Sequence, residues 1–385
     1  MKVLLVSPNG LQELSGGGLY LRSIAQALCE AAAVSEVVIM SKEVGQSQAF
    51  DAPPHCTTVY LEKNARRDIA ARAMLSPTYL ATHRNAILRH ATGVDLVLLH
   101  NSRCGPLLEF LRARLPQKRF GVISDNVEAA LKRGHDSDNV HQRIINALET
   151  WIIGRAEAMC LKADFVTFIT EADQQLFQSE YGAIKRSMVL PITVPRGECT
   201  AMRRAGSPVT ILFTGHFGFA PNQKAVADFA TVARLFKTRH PGTSVRFVAA
   251  GAHAAAAASA YQQIEVVDSP STAQMAELFA STTIYLAPVS WGSGMKTKVA
   301  EALSYGLPVV CMPNAAVGYE AALNDPHFSA AVSVVSDPQQ MASTLHDLLQ
   351  DPELQVPRRA ACEAFDALYS LASQTKRLET LLSAP

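Results

Sequence analysis

The sequence predicts an α/β chain of two doubly wound, Rossmann-like domains facing each other across a cleft. Short apolar runs alternate with longer segments whose apolar residues recur at helical spacing, which is the pattern of parallel strands covered on both faces. The alternation lapses once, between Pro195 and Pro208, where "PRGECTAMRRAGSP" loses its apolar pattern and gains Gly and Pro, and then it resumes. The chain's 385 residues, 48% of them hydrophobic, suit two domains at roughly 100 to 200 residues each.

In order along the chain, "KVLLVS" opens as a continuous apolar strand, "PNGLQELSGGG" follows as a loop, and "LYLRSIAQALCEAA" reads as a helix. The runs "SEVVIMS", "GVDLVLLH", "KRFGVIS" and "ADFVTFIT" supply further strands of the first domain, residues 1–194. After the linker at 195–208, "VTILFTG", "SVRFVAAG", "QIEVVD", "TIYLAP", "LPVVCM" and "AAVSVV" give six strands of a second domain, residues 209–365. The alanine run at Ala254–Ala258 is a good helix former, and no internal repeat stands above the shared alternation.

Composition narrows the class of function. A net charge of +1 with 18% charged residues gives no global field for nucleic acid. Seven scattered cysteines without CxxC spacing suggest neither a disulfide frame nor a zinc site, and fit a reducing cytoplasm. "VLLV" is shorter than the roughly 7 to 15 residues of a signal-peptide core, and no run nears the roughly 20 needed to span a bilayer, so a soluble, cytoplasmic protein is expected.

Ligands of doubly wound sheets bind beyond the carboxyl ends of the strands, so the loops that follow strands hold the candidates. In "SWGSGMKTKVAEALSYGLPVV", a strand runs into Gly292, Ser293, Gly294, Met295 and Lys296, and a helix then begins near Thr297 and ends at Gly306, a residue suited to the left-handed position. Free N–H groups and the positive helix end favour an anion, the glycines admit a phosphate, and Lys296 and Lys298 add charge. Glu301, one turn in, is placed for the two hydroxyls of a ribose. The competing reading is a flexible loop with solvated lysines.

Gly16, Gly17 and Gly18 follow the first strand and would hold a second anion or the sugar, or else only a tight turn. They do not form GxGxxG, and no acidic residue suited to a ribose ends the second strand, Glu43 lying a little beyond, so a dinucleotide is weakly signalled. "FTGHFGFAPNQKAV" places His216, Asn222 and Lys224 at a strand–helix junction, with Asn222 equally suited to cap the helix. In the first domain His100, Asn101 and Arg103 follow one strand and Asp125, Asn126 and Glu128 another; a residue among them would orient an acceptor hydroxyl or take its proton, though loop acids and amides are often turn formers. Asp136 and Asp138 have a DxD spacing but follow no strand, so no metal is expected there or elsewhere. Lys63, Arg66, Arg67, Arg72, Arg84 and Arg89 lie among apolar residues in segment 63–90, which suits peripheral contact with an anionic membrane or a solvated helix face.

Taken together, "SGGGLYLRSIAQAL", "DNVEAALKRG", "VTFITEADQQLFQSEYG", "FTGHFGFAPNQKAV" and "APVSWGSGMKTKVAEALSYGLPVV" resemble the GT-B glycosyltransferases, and more closely the retaining family 4 enzymes of bacterial polysaccharide assembly. The resemblance spans nearly the whole chain. It implies a nucleotide diphosphate sugar donor, a UDP-sugar before a GDP-sugar, with its diphosphate on the Gly-rich loop, its ribose on Glu301 and its base beyond "QIEVVD". The implied acceptor is a glycan or lipid-linked hydroxyl, reached by front-face attack with retention and without metal, on the inner membrane face. It also implies that a last helix, about 366–385, packs back on the first domain.

Three positions depart from the family pattern. Ser293 stands where a glutamate is usual, His216 where many members have an arginine, and Asp125-Asn126-Val127-Glu128 where His-Asn-x-Glu is frequent. Two rival readings follow: a sugar-nucleotide epimerase of the same architecture, and a catalytically silent sugar-nucleotide-binding subunit.

Overall fold

The computed structural model describes residues 1–13, 16–44, 52–133, 140–197, 209–292, 294–320, 322–350 and 355–383. Ser293, the Asp136/Asp138 pair and linker residues 198–208 lie outside the described residues. Two compact units emerge, one of Met1–Ile192 with Gln374–Pro385 and one of Thr193–Ser373.

The first unit holds seven parallel strands, β1 (Lys2–Val6), β2 (Glu36–Lys42), β3 (Cys56–Leu61), β4 (Leu96–His100), β5 (Arg119–Ser124), β6 (Phe165–Phe168) and β7 (Ser187–Val189), in the order β3-β2-β1-β4-β5-β6-β7. Its helices are α1 (Gly16–Glu30), α2 (Ala65–Ala73), α3 (Arg84–Thr92), α4 (Gly105–Arg112), α5 (Glu128–Arg133), α6 (Val140–Met159) and α7 (Glu171–Tyr181). The order reverses direction at β1 and β4, the place where such sheets open a ligand crevice. β1 and β4 are apolar and buried nearly throughout because helices cover both faces. β3 and β7, which the apolar runs do not reveal, are the edge strands and are only partly buried.

The second unit holds β8 (Val209–Thr214), β9 (Val245–Gly251), β10 (Glu265–Asp268), β11 (Ile284–Ala287), β12 (Val309–Cys311) and β13 (Val332–Val334), in the order β10-β9-β8-β11-β12-β13 and again all parallel. Between and after them run α8 (Ala220–Arg239), α9 (Ala254–Ala258), α10 (Thr272–Ser281), α11 (Thr297–Ser304), α12 (Pro326–Ala331), α13 (Pro338–Gln350) and α14 (Gln355–Leu368). Phe213, Phe229, Phe236 and Phe247 interlock across β8, α8 and β9 in its core.

The final helix, α15 (Leu371–Ser383), is tied to the first unit: Gln374 Nε2 donates to Pro191 O at 3.1 Å, Arg119 Nη1 to Leu382 O at 3.0 Å, and Ala32 N to Glu379 Oε1 at 2.8 Å. Cys29, Cys56, Cys104, Cys160 and Cys311 are free, whereas Cys362 is disulfide-bonded. One bonded cysteine is not a disulfide frame, so the reading of the scattered spacing stands beside it.

Gly16–Gly18 correct an expectation. They are the first turn of α1, not a loop or tight turn, and none has a positive φ. A helix tolerates glycine at its start because the first N–H groups have no intrahelical acceptor to lose. The same chain stretch needs glycine for space: a Cβ on Gly18 would sit 2.4 Å from Glu13 O.

Candidate functional site

Each sheet gathers a polar cluster at its carboxyl end. In the first unit, His100 is the last residue of β4 and Asp125 follows β5; the parallel register pairs His100 with Ile123, which brings Asp125 alongside. His100 is fully buried, its Nδ1 2.9 Å from Ser7 Oγ and its Nε2 3.1 Å from Asp125 Oδ1. The contact is close but misaligned, so Nε2 and Oδ1 are both buried without a hydrogen bond. Burial, then the Arg103 guanidinium, depresses the His100 imidazole to about 3, so it is neutral at ordinary pH. Burial, with Glu128 adding to it, pushes the Asp125 carboxyl up to about 7. Asn9 Nδ2 stands 3.5 Å from Asp125 Oδ2.

α1 begins directly above this carboxylate. A Cβ on Gly17 would lie 2.3 Å from Asn9 Nδ2 and 3.1 Å from Asp125 Oδ2, so only glycine leaves room there. Asn101 carries the unusual backbone of the group, with φ of 81°. Its side chain repays that strain, accepting from Arg103 N and Nε at 3.0 Å each and donating to Glu128 Oε1 at 3.0 Å. Sequence reasoning missed Glu157. Fully buried on α6, it accepts from Ser102 Oγ, Tyr181 OH, Glu128 N and Ala129 N, and so fixes the start of α5. In the sequence it is one acid on an amphipathic helix, with nothing to mark it.

Beside this cluster lies a cavity of about 500 Å³, lined among others by Asn9, Glu13, Lys42, Lys63, Tyr79 and Arg103. Glu13 and Lys42 form an ion pair. Tyr79 is 2% exposed, and its OH has no hydrogen-bond partner among the described residues. Segment 63–90 forms one side: Arg67 and Arg72 pair with Glu62 and Glu149, and Arg84 covers the Phe110 ring.

In the second unit, the chain leaves β11 through Gly292 (φ 115°) and Gly294 (φ 71°) and enters α11. Lys296, the residue before the helix, folds back so that its Nζ donates to Gly292 O at 3.3 Å and Gly294 O at 2.7 Å. Lys298 donates to Thr214 O at 3.1 Å and to Asn222 Oδ1 at 2.8 Å, with its ammonium 4.8 Å from the Phe213 ring centre. Burial lowers it to about 7, and Lys296 adds to the effect; burial alone lowers Lys296 to about 8. Glu301 lies one turn along α11, pushed up to about 7 by burial and held back by Lys298. Its carboxylate has no hydrogen bond among the described residues. Two lysines at a helix start beside an unengaged carboxylate suit a ligand with an anionic part and a hydroxylated part.

Asn222 is not the cap of α8. Phe219 takes that position, and Asn222 instead bridges Lys298 to His216 O, to which its Nδ2 donates at 3.0 Å. The His216 ring is exposed and lies edge-on to His253, 5.0 Å between centres. Met295 packs against the core, and Thr297 contributes the first residue of α11. Gly306 adopts φ of 67° after α11, and Leu307 N closes back to Ala302 O at 3.1 Å. Two further residues shape the loop without having been foreseen. Asn314 Nδ2 donates to Gly292 O at 3.0 Å, and the buried Tyr319 OH donates to Lys296 O at 2.8 Å while accepting from Ala300 N at 3.0 Å. Asp268, at the end of β10 where a base was expected, accepts from Ala255 N at 2.9 Å.

Residues 208–351 match the family described as Glycosyl transferases group 1. Sucrose-phosphate synthase from Thermosynechococcus elongatus is similar in structure over 99% of this chain and 98% of its own, with a TM-score of 0.70 and 14% identity. Anabaena HepE in complex with UDP is similar over 100% of both chains (TM-score 0.68, 12% identity), and the Escherichia coli structure described as trehalose-6-phosphate bound with UDP-2-fluoro glucose over 99% of this chain and 98% of its own (0.65, 14%). No curated protein matches the chain by sequence. At these identities the structural likeness shows the fold, which is the GT-B fold of glycosyltransferases.

Proposed function

We propose, from a glycosyltransferase group 1 match in the second unit and a GT-B fold along the whole chain, that the protein transfers a sugar from a nucleotide diphosphate sugar to an acceptor hydroxyl. The observation that carries this is the grouping of Lys296, Lys298 and Glu301 on the first turns of α11. The diphosphate takes the helix start and the lysines, and Glu301 accepts from the ribose hydroxyls. As the glycosidic bond breaks, charge grows on the leaving diphosphate, and pre-oriented N–H groups and ammonium ions stabilise that charge more than they stabilise the ground state. The nucleotides bound in two structural neighbours, UDP and UDP-2-fluoro glucose, favour a UDP-sugar here.

Retention, a hexosyl donor, a role in polysaccharide assembly and independence from metal belong to the same reading. The acceptor, a glycan or lipid-linked sugar, takes the cavity of the first unit, and Asp125 receives the hydrogen of its attacking hydroxyl. His100 does not touch the acceptor; it packs against Asp125, its Nε2 3.1 Å from Oδ1. Glu128 acts at one remove, through Asn101. Segment 63–90 lies toward an anionic membrane surface on the cytoplasmic side.

Titration of UDP and GDP into the protein and into Glu301→Ala tests the donor assignment. UDP should bind, and Glu301→Ala should weaken it about tenfold, the loss of a charge-assisted hydrogen-bond pair. If neither nucleotide bound, the donor assignment would fall. Binding without transfer to any acceptor would favour the silent-subunit reading, and conversion of the donor alone would favour the epimerase.

A further inference from the structure

The helix α6 is apolar on two opposite faces. Its inner face buries Ile152, Ile153 and Ala156. Its outer face presents Val140, Ile144, Leu148 and Trp151, which are 68%, 64%, 55% and 55% exposed. Spacings of four, four and three residues align these four side chains in one stripe along the helix. A contiguous exposed apolar stripe rimmed by polar residues marks a surface that something covers in the working protein.

The surroundings of the stripe identify the cover. Arg143 and Arg155 are exposed on the same helix, and neither forms an ion pair among the described residues. The one acid on the outer part of α6, Glu149, is already neutralised by Lys132 at 2.8 Å and Arg72 at 3.7 Å. Through that Arg72 contact the surface continues to α2, where Ile69 is 71% exposed and Arg66 is exposed and without an ion pair among the described residues. Apolar side chains, a tryptophan and unpaired arginines are the composition of a helix lying in a membrane interface, with basic groups on anionic headgroups. No described helix is long and apolar enough to cross a membrane, so the contact is peripheral.

We propose that α6, with the exposed end of α2, docks the first unit on an anionic lipid surface. The assignment comes from the surface alone and does not depend on the sugar-transfer reading.

Co-sedimentation of the full chain with vesicles tests it without donor or acceptor. Phosphatidylcholine vesicles containing about 30% phosphatidylglycerol should retain the protein, and pure phosphatidylcholine should retain much less. Raising the salt to about 0.5 M should release it, since screening removes the headgroup attraction. Ile144→Ser with Leu148→Ser and Trp151→Ser should lower the partition constant about tenfold or more, and Arg143→Glu with Arg155→Glu should do so on anionic vesicles only. These side chains are exposed, so melting temperatures should stay near that of the parent; the arginine pair serves if the triple variant fails to fold. Failure of the parent to bind, or equal binding by parent and variants, would overturn the proposal. So would light scattering that showed a dimer dissolved by the stripe substitutions, which would assign the stripe to a second copy.

Discussion

At the carboxyl end of the first sheet, an imidazole and a carboxyl share a buried niche and are 3.1 Å apart without a hydrogen bond between them. At the carboxyl end of the second, a lysine and a glutamate sit on one helix turn, and the lysine's donors are taken by a backbone carbonyl and an amide. Burial shifts the carboxyls of both clusters and the Lys298 ammonium toward their neutral forms. The difference lies in charge: the first niche sets a neutral imidazole beside a carboxyl that Asn9 Nδ2 approaches at 3.5 Å, whereas the second sets two lysines near one carboxyl. On the reading proposed above, the first suits an acceptor hydroxyl and the second a ribose diphosphate.

Removing the second cluster's cation should have the largest effect. Lys298→Met keeps the apolar stem beside Phe213 and deletes the ammonium, so it should lower kcat/KM for transfer by about 10² to 10³, the range for loss of one group that stabilises leaving-group charge. It should also weaken UDP binding. The reverse sign is expected for stability: a lysine lowered to about 7 by burial costs the fold stability below its unfolded value, so the variant should melt higher near pH 7. An unchanged kcat/KM would remove Lys298 from the site.

The matching substitution in the first cluster separates binding from transfer. Asp125→Asn should leave UDP affinity unchanged and reduce transfer. Its pH signature is specific. Asp125 is raised to about 7 when folded, so the folded chain keeps a proton that the unfolded chain releases near pH 4. Stability from this group therefore falls as pH rises from about 4 to 7 and then levels off. Asparagine removes that fall, so the variant's advantage in melting should grow across that window and reach about 2 kcal/mol, half the bound set by the shift, since the amide is also costly to bury. An advantage independent of pH would show that Asp125 is ionised throughout.

Much of this arrangement was legible in the sequence, and the gaps have physical causes. Central strands such as β1 and β4 announce themselves because both faces are buried; β3 and β7 do not, since an edge strand needs only partial burial. Gly306 was readable because a left-handed residue after a helix nearly demands glycine. Gly16–Gly18 misled because glycine also serves where a neighbour comes too close, as Glu13 O does to Gly18, and spacing cannot separate that from a turn. His100 and Asp125 were both named, but their meeting depends on β4 lying next to β5. Glu157, Asn314 and Tyr319 were invisible because each acts on backbone far away in sequence.

Tyr319 gives the finest test of the difference between the clusters. The Tyr319 phenol bridges Ala300 N and Lys296 O, while Val299 N donates to that same Lys296 O at 3.1 Å. The bridge fixes the first turn of α11, from which Lys298 and Glu301 project. Tyr319→Phe keeps the packing against Phe328 and Tyr369 but deletes the bridge. UDP affinity should fall about threefold to tenfold, corresponding to about 1 kcal/mol for one net hydrogen bond and its geometry. Melting should fall by no more than the roughly 1 kcal/mol of one net hydrogen bond. If affinity held while melting dropped, the hydroxyl would be a support for the fold and the aim of the lysine and glutamate would be set elsewhere. The first cluster should be indifferent to the change, so Asp125→Asn and Tyr319→Phe should add independently in binding and in transfer.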